Sequence, residues 1–107
     1  MAFEAYDRSL DLIRSLAPLA RLLTSYDADL VEQLRDAASS ITRNLSEGAE
    51  RSGKDRKLRY RYALGSVAEV IGCLDLAVAW GYVEPAAVAD ALALAGRVRA
   101  MAYRLSS

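Results

Sequence analysis

Residues 33–51 read QLRDAASSITRNLSEGAER, and the basic run KDRKLRYRY follows at residues 54–62. In the first stretch apolar residues recur every three or four positions, as they do on the buried face of an amphipathic helix. Polar side chains, Asn44 and Glu47, lie near the end of this face, and Gly48 follows them. The pattern predicts a helix that ends at Gly48, then a short break, then a helix that starts with a cluster of positive charge.

Three other segments carry apolar residues at helical spacing, at about residues 3–23, at 53–80, and from Pro85 to the C-terminus. Pro18 lies inside the first segment and is expected to bend it, because proline has no N–H to donate. Short breaks between helices place consecutive helices antiparallel. No strand pattern competes, so the sequence predicts an all-α fold, an antiparallel up-down-up-down four-helix bundle formed by residues 1–107 as a single domain.

The predicted helix ends carry residues that satisfy free backbone groups. Asp27 or Asp29 can accept hydrogen bonds from the amides that open the second helix. Ser52 and Asp55 have the spacing of a capping box at the start of the third helix. Gly81 follows the third helix and is predicted to end it in a left-handed conformation.

Composition excludes several classes of function. Basic and acidic residues number fourteen each, and there is no histidine. The usual general base and the most common metal ligand are therefore missing. The single cysteine, Cys73, cannot form an intramolecular disulfide and is interpreted as a small buried residue in a reducing compartment. Glycine-rich phosphate loops are also absent. We expect no cofactor, no metal and no small-molecule substrate.

Targeting and membrane signals are weak. The N-terminus has no basic and apolar leader, and no apolar run reaches about 20 residues. The closest stretch, residues 67–83, is interrupted by Glu69, Gly72, Asp75 and Gly81. The sequence therefore predicts a cytoplasmic protein without a membrane span.

Two carboxylates, Glu47 and Glu69, lie on neighbouring predicted helices. A pair of carboxylates can perform acid–base chemistry, but only in a cleft that positions a substrate. The favoured interpretation is structural: Asn44, Glu47 and Glu69 form a polar motif between the helices, with Glu47 bonding backbone amides or Arg51. A small enzyme that uses the two carboxylates is the disfavoured alternative.

The start of the third helix is a candidate nucleic-acid-binding surface. Its six basic residues are Arg51, Lys54, Arg56, Lys57, Arg59 and Arg61. Lys54, Lys57 and Arg61 share one helical face. Such a surface can bind phosphates, and Tyr60 and Tyr62 could stack on unpaired bases. The alternative is a solvated helix start whose charges pair with acids of the preceding helices.

Small residues point to close helix packing. Gly65 and Gly72 lie inside the third helix, where each glycine costs about 1 kcal/mol relative to alanine. They indicate a close approach of another helix, either within the chain or between subunits. The fourth helix is apolar on more than one face, which predicts self-association. A symmetric ring would then repeat the basic surface at one rim.

Five short motifs resemble a known family. They are QLR at 33–35, AASSI at 37–41, NLSEG at 44–48, ALGSVAE at 63–69 and GY at 81–82. In this order they are similar to the four-helix-bundle proteins encoded by intervening sequences in bacterial 23S ribosomal RNA genes. The similarity is strongest over residues 27–84. It implies a bacterial, cytoplasmic, non-enzymatic bundle that assembles as a homo-oligomer, a ring of five.

A related branch is the accessory variability protein of diversity-generating retroelements. That resemblance implies binding of a reverse transcriptase and its template RNA through a basic surface. The chain departs from it in being neutral overall, and it carries Asp36 where arginine is typical of the family. The expected function is a homo-oligomeric binding or scaffold protein whose partner is RNA or a ribonucleoprotein. The alternative is a protein–protein adaptor that does not bind nucleic acid.

Overall fold

The computed structural model describes residues 2–107 and contains four helices there, with no strand in that range. The helices are α1 (Ala2–Leu23), α2 (Ala28–Ala49), α3 (Gly53–Ala79) and α4 (Pro85–Ser106). The predicted all-α bundle is confirmed, and every predicted helix is present within about two residues of its expected bounds.

Each helix packs against two others, so the four helices occupy the corners of a square. Helix α1 contacts α2 and α4, and α3 contacts the same two, which places α1 diagonally across from α3. The bundle is elongated, with extents of 43 × 22 × 19 Å. The α2–α3 loop lies at one end, which we call the basic end. The α1–α2 and α3–α4 loops lie at the opposite end, which we call the acidic end.

One continuous core runs along the bundle axis. Its fully buried members include Leu12, Ile41, Leu45, Leu74 and Val98. Cys73 is 5 % exposed and lies in this core, as predicted. Burial raises the pKa of its thiol, and the nearby charge of Glu69 acts in the same direction. The thiol is therefore protonated at neutral pH and behaves as an apolar group.

The structure confirms one of the predicted helix caps and contradicts another. Asp27 caps α2 as expected, since the Leu30 N–H donates to Asp27 Oδ1 over 3.0 Å. Ser52 precedes α3, but its side chain makes no capping hydrogen bond. The predicted capping box is wrong because the carboxylate of Asp55 accepts a hydrogen bond from Arg51 instead, over 2.9 Å.

Gly48 does not end α2, which continues to Ala49. The glycine is required for packing. A Cβ at position 48 would lie 2.5 Å from Cε1 of Tyr60, whose ring is 2 % exposed. The absence of a side chain at Gly48 therefore lets the Tyr60 ring pack directly on the backbone of α2. The break between α2 and α3 is followed by Gly53, which has a left-handed conformation with φ 59°.

Pro18 does not divide α1, which runs unbroken from Ala2 to Leu23, and its ring is exposed. Helix α3 has the length and composition of a membrane span, with a mean hydropathy of 1.6 over an 18-residue window. One such helix is weak evidence, because a core helix of a soluble protein has the same character. The absence of a membrane span therefore stays a prediction. Only 33 % of that window is fully buried, and its other residues are partly or fully exposed.

Candidate nucleic-acid interface

The start of α3 projects beyond the end of α2. Two contacts fix the antiparallel register of these helices: Tyr60 packs on Gly48, and Ser66 Oγ donates to Ser40 Oγ over 2.9 Å. In this register the last residue of α2 is level with about residue 57 of α3. At 1.5 Å per residue, α3 therefore begins about one turn, ~5 Å, beyond α2. The first turn of α3 is consequently open to solvent on most sides.

Arg56 is part of the hairpin between α2 and α3. Its Nε–H donates to the carbonyl oxygens of Gly48, over 3.2 Å, and Arg51, over 2.6 Å. Its Nη2 donates to the carbonyl of Ala49 over 3.4 Å. The last carbonyl oxygens of a helix lack donors from within the helix and carry partial negative charge. A guanidinium at this end donates hydrogen bonds to them and also offsets that charge. Arg56 therefore acts as a structural residue at the basic end.

Two more of the six basic residues form ion pairs within the chain. Arg51 pairs with Asp55 over 2.9 Å, and this hydrogen bond and charge raise the pKa of Arg51. Arg59 pairs with Glu47 over 3.1 Å, and its guanidinium carbon lies 5.9 Å from the centre of the Tyr62 ring. The predicted partners of Glu47, backbone amides or Arg51, are therefore wrong, and Glu47 instead connects α2 to α3 through Arg59.

The remaining three basic residues form a separate group. Lys54, Lys57 and Arg61 are exposed, and none of them forms an ion pair within residues 2–107. They follow one another at intervals of three and four residues, so they lie along one outward face of α3. We call these three residues the basic lane. Tyr62 is 49 % exposed next to the lane. Tyr60 is buried, so the prediction that it stacks on bases is wrong.

The predicted polar motif is only partly assembled. Asn44 Nδ2 donates to the carbonyl and the hydroxyl oxygen of Ser40, over 2.9 and 3.1 Å, and Ser40 in turn contacts Ser66 of α3. Glu69 does not join this group. The helix register places it near the level of residue 37, about ten residues or ~15 Å from Glu47. Both carboxylates are exposed, so the two do not form a shared site.

The comparisons with known proteins agree with this fold. The family model described as 23S rRNA-intervening sequence protein matches residues 1–104. The chain belongs to this family. A crystal structure of a protein of unknown function from the S23 ribosomal protein family of Bacteroides thetaiotaomicron VPI-5482 superposes with a TM-score of 0.86. It is 17 % identical, and the match covers 96 % of this chain and 98 % of that one. At this identity the likeness describes the fold alone. No curated protein matches the chain.

This member of the 23S rRNA-intervening sequence protein family is neutral but strongly polarised along its axis. Cutting each helix at its midpoint gives a basic-end half of residues 2–12, 39–66 and 96–107, with 11 basic and 6 acidic residues, a net charge of +5. The other half, residues 13–38 and 67–95, has 3 basic and 8 acidic residues, a net charge of −5. The basic lane therefore lies in the positive half, and overall neutrality hides this field.

The acidic end of this family member is held together by aromatic and carboxylate contacts. Asp27 caps α2 through Oδ1 and accepts a hydrogen bond from the Tyr82 hydroxyl through Oδ2, over 3.0 Å. This bond is the main cause that raises the pKa of Tyr82. The rings of Tyr26 and Tyr82 stack with their centres 5.5 Å apart. These contacts tie the α1–α2 loop to the α3–α4 loop.

The cavities of the bundle are small and mostly apolar. The best formed, about 200 Å³, lies between α1 and α2 and is lined by Leu16, Ala20 and Leu34, with Arg21 and Arg35 at its edge. Within residues 2–107 no group of three or more acidic, cysteine or histidine side chains is placed to hold a metal ion. The basic lane is a cluster of chemically distinctive side chains that both the sequence and the described residues 2–107 identify.

Proposed function

We propose that this chain is a non-enzymatic, homo-oligomeric scaffold protein that binds RNA through the basic lane of Lys54, Lys57 and Arg61. One observation carries the proposal: three of the six basic residues are engaged in contacts within the chain, and the other three are exposed, unpaired and aligned. Basic side chains that form no ion pair or hydrogen bond within the chain are available to bind a partner.

The position of the lane supports an anionic partner. Lysine and arginine near the start of a helix oppose the macrodipole, so helix stability does not explain Lys54 and Lys57. Binding of phosphates would offset that cost and release counterions. Tyr62, half exposed beside the lane, offers a ring face for an unpaired base. These features favour single-stranded RNA.

Assembly would multiply this weak surface. Three charges bind phosphate only modestly, but a ring of five copies presents five lanes at one rim, and linked sites gain affinity through effective concentration. A ribonucleoprotein such as a reverse transcriptase with its template RNA would offer a matching extended anionic surface. The non-enzymatic assignment is supported by the lack of histidine and by the separation of Glu47 from Glu69.

The test compares two variants that remove equal charge. In the lane variant Lys54, Lys57 and Arg61 become serine. In the control the three basic residues of the acidic half become serine, namely Arg14, Arg21 and Arg35. A labelled 20-nucleotide single-stranded RNA and its duplex are titrated at several salt concentrations. The lane variant is expected to lose at least about tenfold in affinity, and its salt slope to fall by about 2, while the control changes little.

Two outcomes would contradict the proposal. Equal losses in both variants would mean that net charge, and not the lane, attracts RNA. No binding by the unmodified protein at low salt would remove RNA as the partner and leave the protein–protein adaptor. Trp80, which is 69 % exposed at the acidic end, would then be the first residue to examine.

A further inference from the structure

The cavity between α1 and α2 has an apolar interior. Its walls are formed by Ile13, Leu16 and Ala20 on one side and by Leu34 and Ala38 on the other. All of these except Ile13 are buried core residues. The cavity volume is about 200 Å³. A dry apolar cavity of about 150 Å³ in another protein holds one benzene molecule, so this one has room for an apolar body of roughly eight carbon atoms. We call it the α1–α2 cavity.

Alanines leave this space open. Ala17 and Ala20 of α1 and Ala38 of α2 all line the cavity. Leucine forms helices almost as well as alanine and would bury more apolar surface at such positions. Helix formation therefore does not account for three alanines around one cavity. An apolar ligand does account for them, because it supplies the contacts that the short side chains leave unmade.

Two arginines lie at the edge of the α1–α2 cavity, one on each helix. Arg21 and Arg35 are exposed, and neither forms an ion pair within residues 2–107. The acidic half of the bundle contains one other basic residue, Arg14, which pairs with Asp11 over 3.0 Å. Both unpaired basic residues of that half therefore lie at the same cavity.

The register of α1 and α2 directs the two arginine side chains toward each other. Ser9 Oγ and Thr42 Oγ1 are 2.9 Å apart, so these two residues lie at the same level. Counting along each helix from this pair, Arg21 and Arg35 differ in height by about five residues, roughly 7–8 Å. Helical side chains lean toward the N-terminus of their own helix. Because α1 and α2 are antiparallel, the two side chains lean into the interval between them.

The acidic residues around the cavity leave this pair of charges unopposed. Among residues 2–107 no acidic side chain lines the cavity. Glu32 and Asp36 are close to Arg35 in sequence, but neither forms an ion pair within the described part of the chain. Asp11, on α1, is already engaged by Arg8 and Arg14. Two like charges that lean together are unfavourable, and an anion bound between them would offset their repulsion.

We infer that the α1–α2 cavity binds a small amphipathic carboxylate, with one carboxylate group and an apolar body of roughly eight carbon atoms, such as a medium-chain fatty acid. The apolar body fills the cavity, and the carboxylate accepts charge-assisted hydrogen bonds from Arg21 and Arg35. Ser39 also lines the cavity, and its hydroxyl is a further donor. No general base lies among the lining residues within the range 2–107, so the ligand is bound and not converted.

Charge and size disfavour other classes of ligand. An amine would be repelled by the arginines, and a neutral hydrocarbon would leave them without a partner. Cavities that enclose drug-sized molecules have volumes of about 300–1,000 Å³, so a nucleotide or a whole phospholipid is too large for this one. The net negative charge of the acidic half opposes an anion only weakly, because salt screens exposed charges beyond about 8 Å at physiological ionic strength.

The α1–α2 cavity is separate from the basic lane. The cavity lies between α1 and α2 in the acidic half, whereas the lane lies on the first turns of α3 in the basic half. The inference therefore goes beyond the proposed RNA binding and does not depend on it. A ligand that binds only the folded chain raises its melting temperature, so binding has a readout in the intact protein.

Octanoate is the first probe. Calorimetric titration of the full chain is expected to show one saturable site per chain with a dissociation constant below about 1 mM. Butanoate, 1-octanol and octylamine are each expected to bind at least about tenfold more weakly, because each lacks either the apolar length or the negative charge. 3-Phenylpropionate, an aromatic carboxylate of similar size, shows by its affinity relative to octanoate whether the cavity prefers an aromatic or an alkyl body.

Two kinds of variant locate the site. Ala17→Leu fills part of the cavity and is expected to weaken octanoate binding at least about tenfold while the melting temperature without ligand is maintained or rises. Ala93→Leu, an equal addition on the exposed face of α4, is its control. Arg21→Gln and Arg35→Gln are each expected to weaken octanoate binding at least about fivefold and to leave octanol binding unchanged. Arg14→Gln removes the paired arginine and is expected to change octanoate affinity less than about twofold.

The outcomes are distinct. No saturable octanoate binding by the unmodified chain up to about 10 mM would overturn the inference. Binding that persists unchanged in Ala17→Leu, Arg21→Gln and Arg35→Gln would place the ligand elsewhere on the molecule and would overturn it equally. Octanol that binds as tightly as octanoate would remove the role of the arginines. None of these results bears on the basic lane, whose residues lie outside the cavity.

Discussion

The two ends of α2 are capped by residues of opposite charge. One of them is close in sequence to the group that it caps, and the other lies farther along the chain. At the acidic end the carboxylate of Asp27 accepts from the Leu30 amide, three residues away. At the basic end the guanidinium of Arg56 donates to the carbonyl of Gly48, eight residues away and on the next helix. Both charges oppose the partial charge of the helix end that they contact. A cap can therefore be a local choice of sequence or a product of tertiary packing.

The two ends also differ in what they leave for a partner. At the acidic end Tyr82 is engaged with both Asp27 and Tyr26. At the basic end the packing of Tyr60 on Gly48 fixes the hairpin, and half of the basic cluster remains free. The basic end therefore combines a rigid support with unused charge, which suits a binding surface.

The largest expected effect concerns the support at the basic end. Gly48→Ala places a Cβ against the buried Tyr60 ring and is expected to reduce the free energy of unfolding by about 1–3 kcal/mol. The same substitution at Gly65, where space is open, is expected to increase it by up to about 1 kcal/mol. Urea unfolding of both variants measures the two changes in the free energy of unfolding. The protein concentration is chosen so that light scattering gives equal masses for the variants. Stabilisation by Gly48→Ala would mean that the ring does not need this glycine.

An intermediate effect separates structural arginine from binding lysine within one basic run. Arg56→Gln removes the guanidinium from the last carbonyls of α2 and is expected to lower the free energy of unfolding by about 1 kcal/mol. The RNA affinity of the folded variant is expected to fall by less than about twofold, because the substitution removes one charge from the basic end but none from the basic lane. Lys57→Gln is expected to show the reverse: unchanged stability and weaker RNA binding. Urea unfolding and RNA titration are run on both. Equal behaviour of the two variants would contradict the division of the basic cluster.

Helix existence could be predicted from this sequence because each helix carries its own apolar spacing. The Asp27 cap could be predicted for a similar reason, since donor and acceptor are three residues apart. The Arg56 contacts could not, because they depend on where α3 packs after the break. The purpose of Gly48 was mistaken for helix termination because its partner, Tyr60, is twelve positions later and reaches it only through tertiary packing.

The candidate site was partly predictable because local helical spacing can be read from the sequence, whereas contacts that depend on tertiary packing cannot. Helical spacing placed Lys54, Lys57 and Arg61 on one face. It could not show that Arg51, Arg56 and Arg59 are engaged within the chain, because two of those contacts run to α2. The pairing of Glu47 with Glu69 was wrong because adjacency of two helices does not fix their register. That register depends on small contacts such as Ser40 with Ser66.

The smallest expected effect tests the acidic end through pH. The hydrogen bond from Tyr82 to Asp27 raises the folded-state pKa of Tyr82 above its ordinary value of about 10. Folding thus favours the protonated phenol, so the stabilisation is complete below about pH 10 and is lost as pH rises through the higher folded-state value. Tyr82→Phe is therefore expected to unfold at lower urea than the unmodified chain at pH 8, with the difference shrinking above pH 10. Tyr103→Phe, at an exposed ring, is the control and is expected to give a constant difference. A constant difference for Tyr82→Phe as well would mean that the bond to Asp27 does not stabilise the fold, and would leave the local cap as the only role of that carboxylate.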